Sequence, residues 1–328
     1  MFNKILVPLD RSALAEQAIG PAAAIARAAH STIDIVVVHE PFPFAGYVDF
    51  PWTTEEPTFE LKYAEAIGAE IKSGAGVSTT CAVLRGGPAE MIAQRAVDGG
   101  ADLIVMTSHG RTGFSRTWLG SVADAVMRHV SIPVLMLRPE RPALHRGAAV
   151  PRIERILVSV DGSMASNSIL PAAAELAKAS GATLSLLRVV PIVPILMPYD
   201  PALPITTLPL IPDSVATKRL ADESAEQIEG MARNLHDETG LSVEGHVIVG
   251  ENTAKSIVDF ATAHRMDVIA MATHGRGASR MLLGSIADKV LRSSGLPILL
   301  QSPASVAASA VDLNAAEVEA QLPSLAFS

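Results

Sequence analysis

Ile5-Leu-Val-Pro-Leu-Asp10 returns later in the chain as Ile156-Leu-Val-Ser-Val-Asp161, at an offset of 151 residues. A short, continuously apolar run closed by an aspartate reads as a buried strand with a polar end. Its return predicts that what surrounds it is duplicated as well. Other landmarks keep the same order. Ser108-His-Gly-Arg111 comes back as Thr273-His-Gly-Arg276, Leu119-Gly-Ser121 as Leu283-Gly-Ser285, and Ile132-Pro133 as Leu296-Pro297. A period this long exceeds any solenoid unit, so two tandem copies of one domain are expected, each burying its own core. The expected boundaries are 1–140 and 153–302. Pro139, Pro142, Gly147 and Pro151 form a linker between them, and residues 303–328 are a tail without counterpart.

Working outward from Asp10, residues 4–9 and 33–38 are short apolar runs. Between them, Leu14, Ala18, Ala22, Ile25 and Ala29 fall on one helical face. The alternation continues as helix 61–73, strand 77–84, helix 88–98, strand 102–107, helix 121–130 and strand 134–138, and the second copy follows suit. Strands alternating with helices predict the α/β class, with a doubly wound, parallel, five-stranded sheet in each copy. Pro21 and Pro171, inside the first helix of each half, predict a kink. The long connections Glu40–Glu60 and Pro191–Asp213 read as irregular; the second carries seven prolines, suiting a lid or a partner contact.

Composition narrows the function classes. The 328 residues are 49% hydrophobic and 18% charged, enough apolar surface for two domains of ordinary size. A net charge of −8 and 4% aromatic residues argue against a phosphate-backbone footprint or base-stacking platforms, so nucleic acid is not the expected partner. The single cysteine, Cys81, excludes an intrachain disulfide and fits a reducing compartment, with the cytoplasm as the expectation. The apolar stretch from Val189 to Met197 is broken by Pro191 and Pro194 and is too short for a membrane span. The first ten residues look like a strand rather than an export signal.

In an open parallel sheet a ligand sits beyond the carboxyl ends of the strands, where strand order reverses. With order 3-2-1-4-5, that point lies between Asp10 and Thr107. The segment from Thr107 to Ser121 is glycine-rich and opens directly into a helix. Glycines allow close backbone approach, and Ser121 adds a hydroxyl at the positive end of the helix dipole, so a phosphate can be cradled there. Asp10 can accept hydrogen bonds from a ribose. Bland roles remain open: Gly120-Ser121 as an ordinary helix start, Asp10 and Asp161 as caps, and Arg111, Arg116, Arg276 and Arg280 as solvated cations. His109 and His274 have no His, Cys or paired carboxylate at metal-ligand spacing nearby, so they read as loop hydrogen-bonding residues.

These residues together resemble the universal stress protein family, here as a tandem two-domain member. The likeness rests on Asp10 followed by Ser12, Gly86-Gly-Pro-Ala-Glu90, Asp102-Leu-Ile-Val-Met106, the Ser-His-Gly-Arg turn, Leu119-Gly-Ser-Val-Ala-Asp124 and Ile132-Pro-Val-Leu135. It implies ATP or a related adenine nucleotide as ligand, through a pattern G-x2-G-x9-G-[ST], with magnesium accompanying the triphosphate. By position, Asp10 would hold ribose, Val38 and Met106 would flank adenine, and Gly110, Gly120, Ser121 and Val122 would receive phosphates. The second set would be Asp161, Val189, Met271, Gly275, Gly284, Ser285 and Ile286. Thr107 and Ala272 stand where the pattern begins with glycine, and the second half has eight residues instead of nine before Gly284. No catalytic residues are expected, at most slow hydrolysis, because no activated nucleophile, metal triad or Walker lysine is present. The rival reading is a nucleotide-free interaction module whose halves pair through their final strands. Self-association or a protein partner is compatible with either. A third reading, adenylyl transfer, lacks a catalytic histidine pair.

Overall fold

The apolar run around Ile5 is the central strand of its half. A computed structural model describes residues 2–40, 58–108, 119–138, 152–195, 212–273 and 284–302. The linker, the tail and most of both long connections lie outside the described residues. The first half contains β1 (Lys4–Leu9), α1 (Ile19–Ala29), β2 (Thr32–His39), α2 (Thr58–Ala75), β3 (Thr79–Arg85), α3 (Pro88–Asp98), β4 (Leu103–Thr107), α4 (Ser121–His129) and β5 (Val134–Leu137). The second contains β6 (Arg155–Ser159), α5 (Met164–Asn167), α6 (Leu170–Ser180), β7 (Thr183–Val190), α7 (Ser214–Thr239), β8 (Val243–Val249), α8 (Thr253–Ala263), β9 (Val268–Ala272), α9 (Ser285–Ser293) and β10 (Ile298–Gln301).

Each half has the expected strand order, β3-β2-β1-β4-β5 and β8-β7-β6-β9-β10, all parallel. The halves are not separate sheets. β5 pairs antiparallel with β10, Leu135 opposite Leu299, and a single ten-stranded sheet results. This corrects the expectation of one core per copy. The buried side chains form two clusters, one on each face of the sheet, and both run through both halves. One lies under α1, α2, α6 and α7; the other lies under α3, α4, α8 and α9. Joining the sheets edge to edge aligns their faces, so the apolar layers merge.

The two prolines act differently from the expected kink. α1 starts at Ile19, after a single 3-10 turn at Ala15–Ala18, and Pro21 lies in its first turn. α6 starts at Leu170 with Pro171 second, after the separate short helix α5. A first-turn N–H has no intrahelical acceptor, so proline costs nothing there; the chain breaks ahead of it instead of bending at it.

Two polar devices set the register. At the amino ends of the strands, Asp102 Oδ2 accepts the N–H groups of Asn3 and Lys4 at 2.6 and 3.0 Å. Asp267 Oδ2 repeats this with Glu154 and Arg155 at 2.8 and 2.9 Å. Under α3, the buried Asp34 accepts from Arg95 Nε at 2.8 Å and from Thr80 Oγ1 at 2.7 Å, so its charge is compensated. In the second half Ser185 stands in place of Asp34.

Candidate functional site

Asp10 closes β1, where the strand order reverses between β1 and β4. Its Oδ1 accepts the N–H of Ser12 at 2.9 Å, and Ser12 Oγ accepts the N–H of Ala15 at 3.1 Å. The twin turn has the same wiring, Asp161 with Ser163 at 2.8 Å and Ser163 with Ser166 at 3.1 Å. Each aspartate thus closes a turn onto its own chain two residues on, and the serine after it, not the aspartate, accepts the N–H at the start of the following helical turn. The wiring holds each carboxylate at the carboxyl edge of the sheet. Between the bonded residues the backbone turns left-handed, at Arg11 (φ 68°) and Gly162 (φ 81°).

Across the reversal, the N–H of Ser108 donates to the carbonyl of Leu137 in β5 at 2.8 Å. The Ser108 carbonyl in turn accepts the N–H of Gly120 at 2.8 Å. Thr273, Gln301 and Gly284 repeat the arrangement at 2.8 and 2.7 Å. Both glycine-rich loops are thus closed at their base in the same way, although the second is one residue shorter, and the shortening falls within 274–283. This bond also corrects the role expected of Gly120. Its N–H is committed to Ser108, and the outward donors are the first-turn N–H groups of Ser121, Val122 and Ala123, which have no intrahelical acceptor.

What Gly120 contributes is the absence of a side chain. Its φ of −68° and ψ of 152° suit any residue, so backbone conformation does not require glycine there, and Gly284 at −58° and 147° is alike. Neither helix start has a side-chain cap; α1, α3 and α6 lack one too, α3 also starting at a glycine (Gly87), whereas α5, α7 and α8 are capped by Ser163, Asp213 and Asn252. A glycine in the capping position with bare N–H groups behind it is what close approach of an anion needs.

The buried Met106 of β4 belongs to the apolar layer under α3 and α4, and Val38, half-buried near the end of β2, packs against that layer, as do Leu119 and Val122. Val189 and Met271 do the same in the second half. Ile286, by contrast, is 40% exposed, where its counterpart Val122 packs. Thr107 and Ala272 are buried at their strand ends. Gly110 and Gly275 lie outside the described residues, as do His109, His274, Arg111, Arg116, Arg276 and Arg280.

One cluster at the first mouth escaped the sequence reading. Glu60, in the first turn of α2, has its Oε1 3.4 Å from Arg11 Nη1 and 3.2 Å from His39 Nδ1, and the Arg11 guanidinium stands 5.6 Å from the centre of the Phe59 ring. Burial by itself would push the Glu60 carboxyl up. Its backbone hydrogen bond, His39 and Arg11 together hold it below the ordinary value. Setting Asp10-Arg11-Ser12 against Asp161-Gly162-Ser163 would have flagged Arg11; nothing in the sequence places Glu60 beside it. Arg85 ends β3 exposed at the same edge. The matching positions in the second half are Gly162, Val190 and Val249. Among the described residues no group of three or more His, Cys, Asp or Glu can hold a metal ion, and no helix is long and apolar enough to cross a membrane.

Known proteins resemble this chain in sequence and in fold. A universal stress protein of Thermus aquaticus is 36% identical over 139 residues, 42% of this chain and 100% of that protein. One from Methanocaldococcus jannaschii is 32% identical over 142 residues, 42% of this chain and 83% of that protein. The crystal structure of a universal stress protein from Archaeoglobus fulgidus superposes with a TM-score of 0.65 at 20% identity, covering 92% of this chain and 99% of that one, which speaks for the fold alone. The model of the Universal stress protein family matches residues 1–138 and again 152–301, and the chain therefore belongs to that family as a tandem two-domain member.

Proposed function

We propose that the chain binds an adenine nucleotide, ATP in the first instance, and acts as a nucleotide-dependent regulatory or protective module in a cytoplasmic stress response. The observation that carries this reading is the uncapped, glycine-led start of α4, standing across the strand reversal from the Asp10 carboxylate. In it, the N–H groups of Ser121, Val122 and Ala123 receive phosphate oxygens, Asp10 orients the ribose, and Val38 and Met106 flank the base. Gly110 would add backbone donors from the loop. The second half offers Asp161, Val189, Met271, Ala272, Gly275, Gly284, Ser285 and Ile286 at corresponding positions, with the exposed Ile286 and the shorter loop making it the poorer site. Magnesium would arrive with the triphosphate as its counterion. In this reading occupancy is the signal and hydrolysis is at most slow.

The nucleotide-free interaction module keeps one observation in its favour. Its required pairing of final strands is present as β5 against β10. Denaturing the purified protein and identifying released small molecules by mass spectrometry separates the two. Released adenine nucleotide that is absent from Gly120→Glu supports binding. No released nucleotide, together with no uptake of added ATP, leaves the interaction module standing.

A further inference from the structure

Asp10-Arg11-Ser12 and Asp161-Gly162-Ser163 build the same hydrogen-bonded turn, and the middle residue is left-handed in both. Glycine takes that conformation freely. Arginine takes it only with a clash between its Cβ and the backbone. Strain kept at one residue beside a candidate ligand carboxylate points to something its side chain does there.

The Arg11 side chain is held, but not consumed. Its contact with Glu60, 3.4 Å, is longer than the roughly 2.7–2.9 Å of a tight charge-assisted hydrogen bond, and a guanidinium carries five donors. Phe59 supports it from the side, and 31% of the side chain remains exposed. His39 already gives Glu60 a second partner. A cation is therefore fixed at the mouth, one residue from Asp10, with donors to spare. The twin mouth carries a glycine at this place.

We propose that Arg11 is a specificity-determining residue of the first half. It contacts the anionic part of the ligand and selects a nucleotide bearing several negative charges over the uncharged nucleoside. The proposal rests on the nucleotide reading above, and its test separates the two.

The full chain carrying Gly284→Glu, which puts a carboxylate at the second helix start, is titrated calorimetrically with ATP and, in parallel, with adenosine. Replacing Arg11 and Glu60 together (R11G/E60Q) removes the pair without stranding a buried charge and gives the turn the residue its twin uses. The ATP-to-adenosine affinity ratio is expected to fall about tenfold or more in this variant. E60Q alone, which releases the guanidinium from its carboxylate, is expected to keep or raise the ratio. Arg11→Gln, similar in length and uncharged, carries the same expectation as R11G/E60Q, should that variant melt early. An unchanged ratio in the uncharged variants overturns the role of Arg11 and leaves nucleotide binding intact. A parent protein that takes up neither compound overturns both.

Discussion

The Glu60 carboxylate shows how far a single side chain is governed by residues distant in sequence. It is nearly buried, which pushes its pKa up, yet a backbone hydrogen bond, together with His39 and Arg11 reaching it from the ends of two different strands, holds it below the ordinary value. A carboxyl whose pKa is lowered by folding stabilises the folded state at pH values above its ordinary value of 4.5, and that contribution is lost as pH falls through the lowered value. Urea unfolding midpoints followed from pH 7 down to pH 3 are therefore expected to decline less steeply in E60Q than in the parent. Parallel pH profiles would show that Glu60 makes no such contribution. Such groupings are invisible in a linear reading. Arg11 and Glu60, like Asp34 and Arg95, are brought together only by strand pairing and helix docking. Asp10, by contrast, could be read directly, because its partner Ser12 is two residues away and the same wiring recurs after Asp161.

At the scale of the element, α4 and α9 begin, like α3, at a glycine that offers no side-chain cap, and they alone of the three follow the glycine-rich loops. A carboxylate at the capping position both accepts first-turn N–H groups and complements the helix dipole, a gain of roughly 0.5–1 kcal/mol. Gly120→Asp, whose backbone angles suit any residue, should therefore melt at the same temperature as the parent or a few degrees higher while losing nucleotide uptake. A variant that melts much lower would mean that residue 120 is packed against something a side chain displaces. Element identity was largely legible in the sequence. α3 begins and ends at the expected residues, and the strand order assumed for each half is the one observed, although alternation alone does not select it. Boundaries slipped where local chemistry competes with periodicity: α2 already includes Thr58–Glu60, and the proline-bearing helices begin late because first-turn geometry, not continuous periodicity, decides where a proline can sit.

For the whole molecule, the duplication was plain in the sequence, and pairing of the halves through their final strands was one of the readings it left open. No residue pattern distinguishes a parallel edge strand left open from one that pairs antiparallel with its twin, so the shared cores followed only from the assembled sheet. The seam consists of the β5–β10 ladder and of α1 packed beside α6, with Arg138 Nη1 reaching the carbonyl of Ser294 at 3.3 Å. Buried leucines at its centre, Leu135 and Leu299, are fully shielded from solvent. Residues 1–138 and 152–302 co-expressed as separate chains are therefore expected to elute from a sizing column as one complex, with a melting temperature below that of the intact chain because the tether no longer concentrates the halves. Independent elution would show that the linker, and not the seam, keeps them together.

That seam has an evolutionary corollary. Two identical subunits meeting about an axis must carry every substitution in duplicate, so neither pocket can drift without dragging its mirror image along. Here both partners are encoded once each in a single chain, and an arginine at position 11 coexists with a glycine at position 162. Such a chain can keep one of the two turns under constraint while its twin drifts.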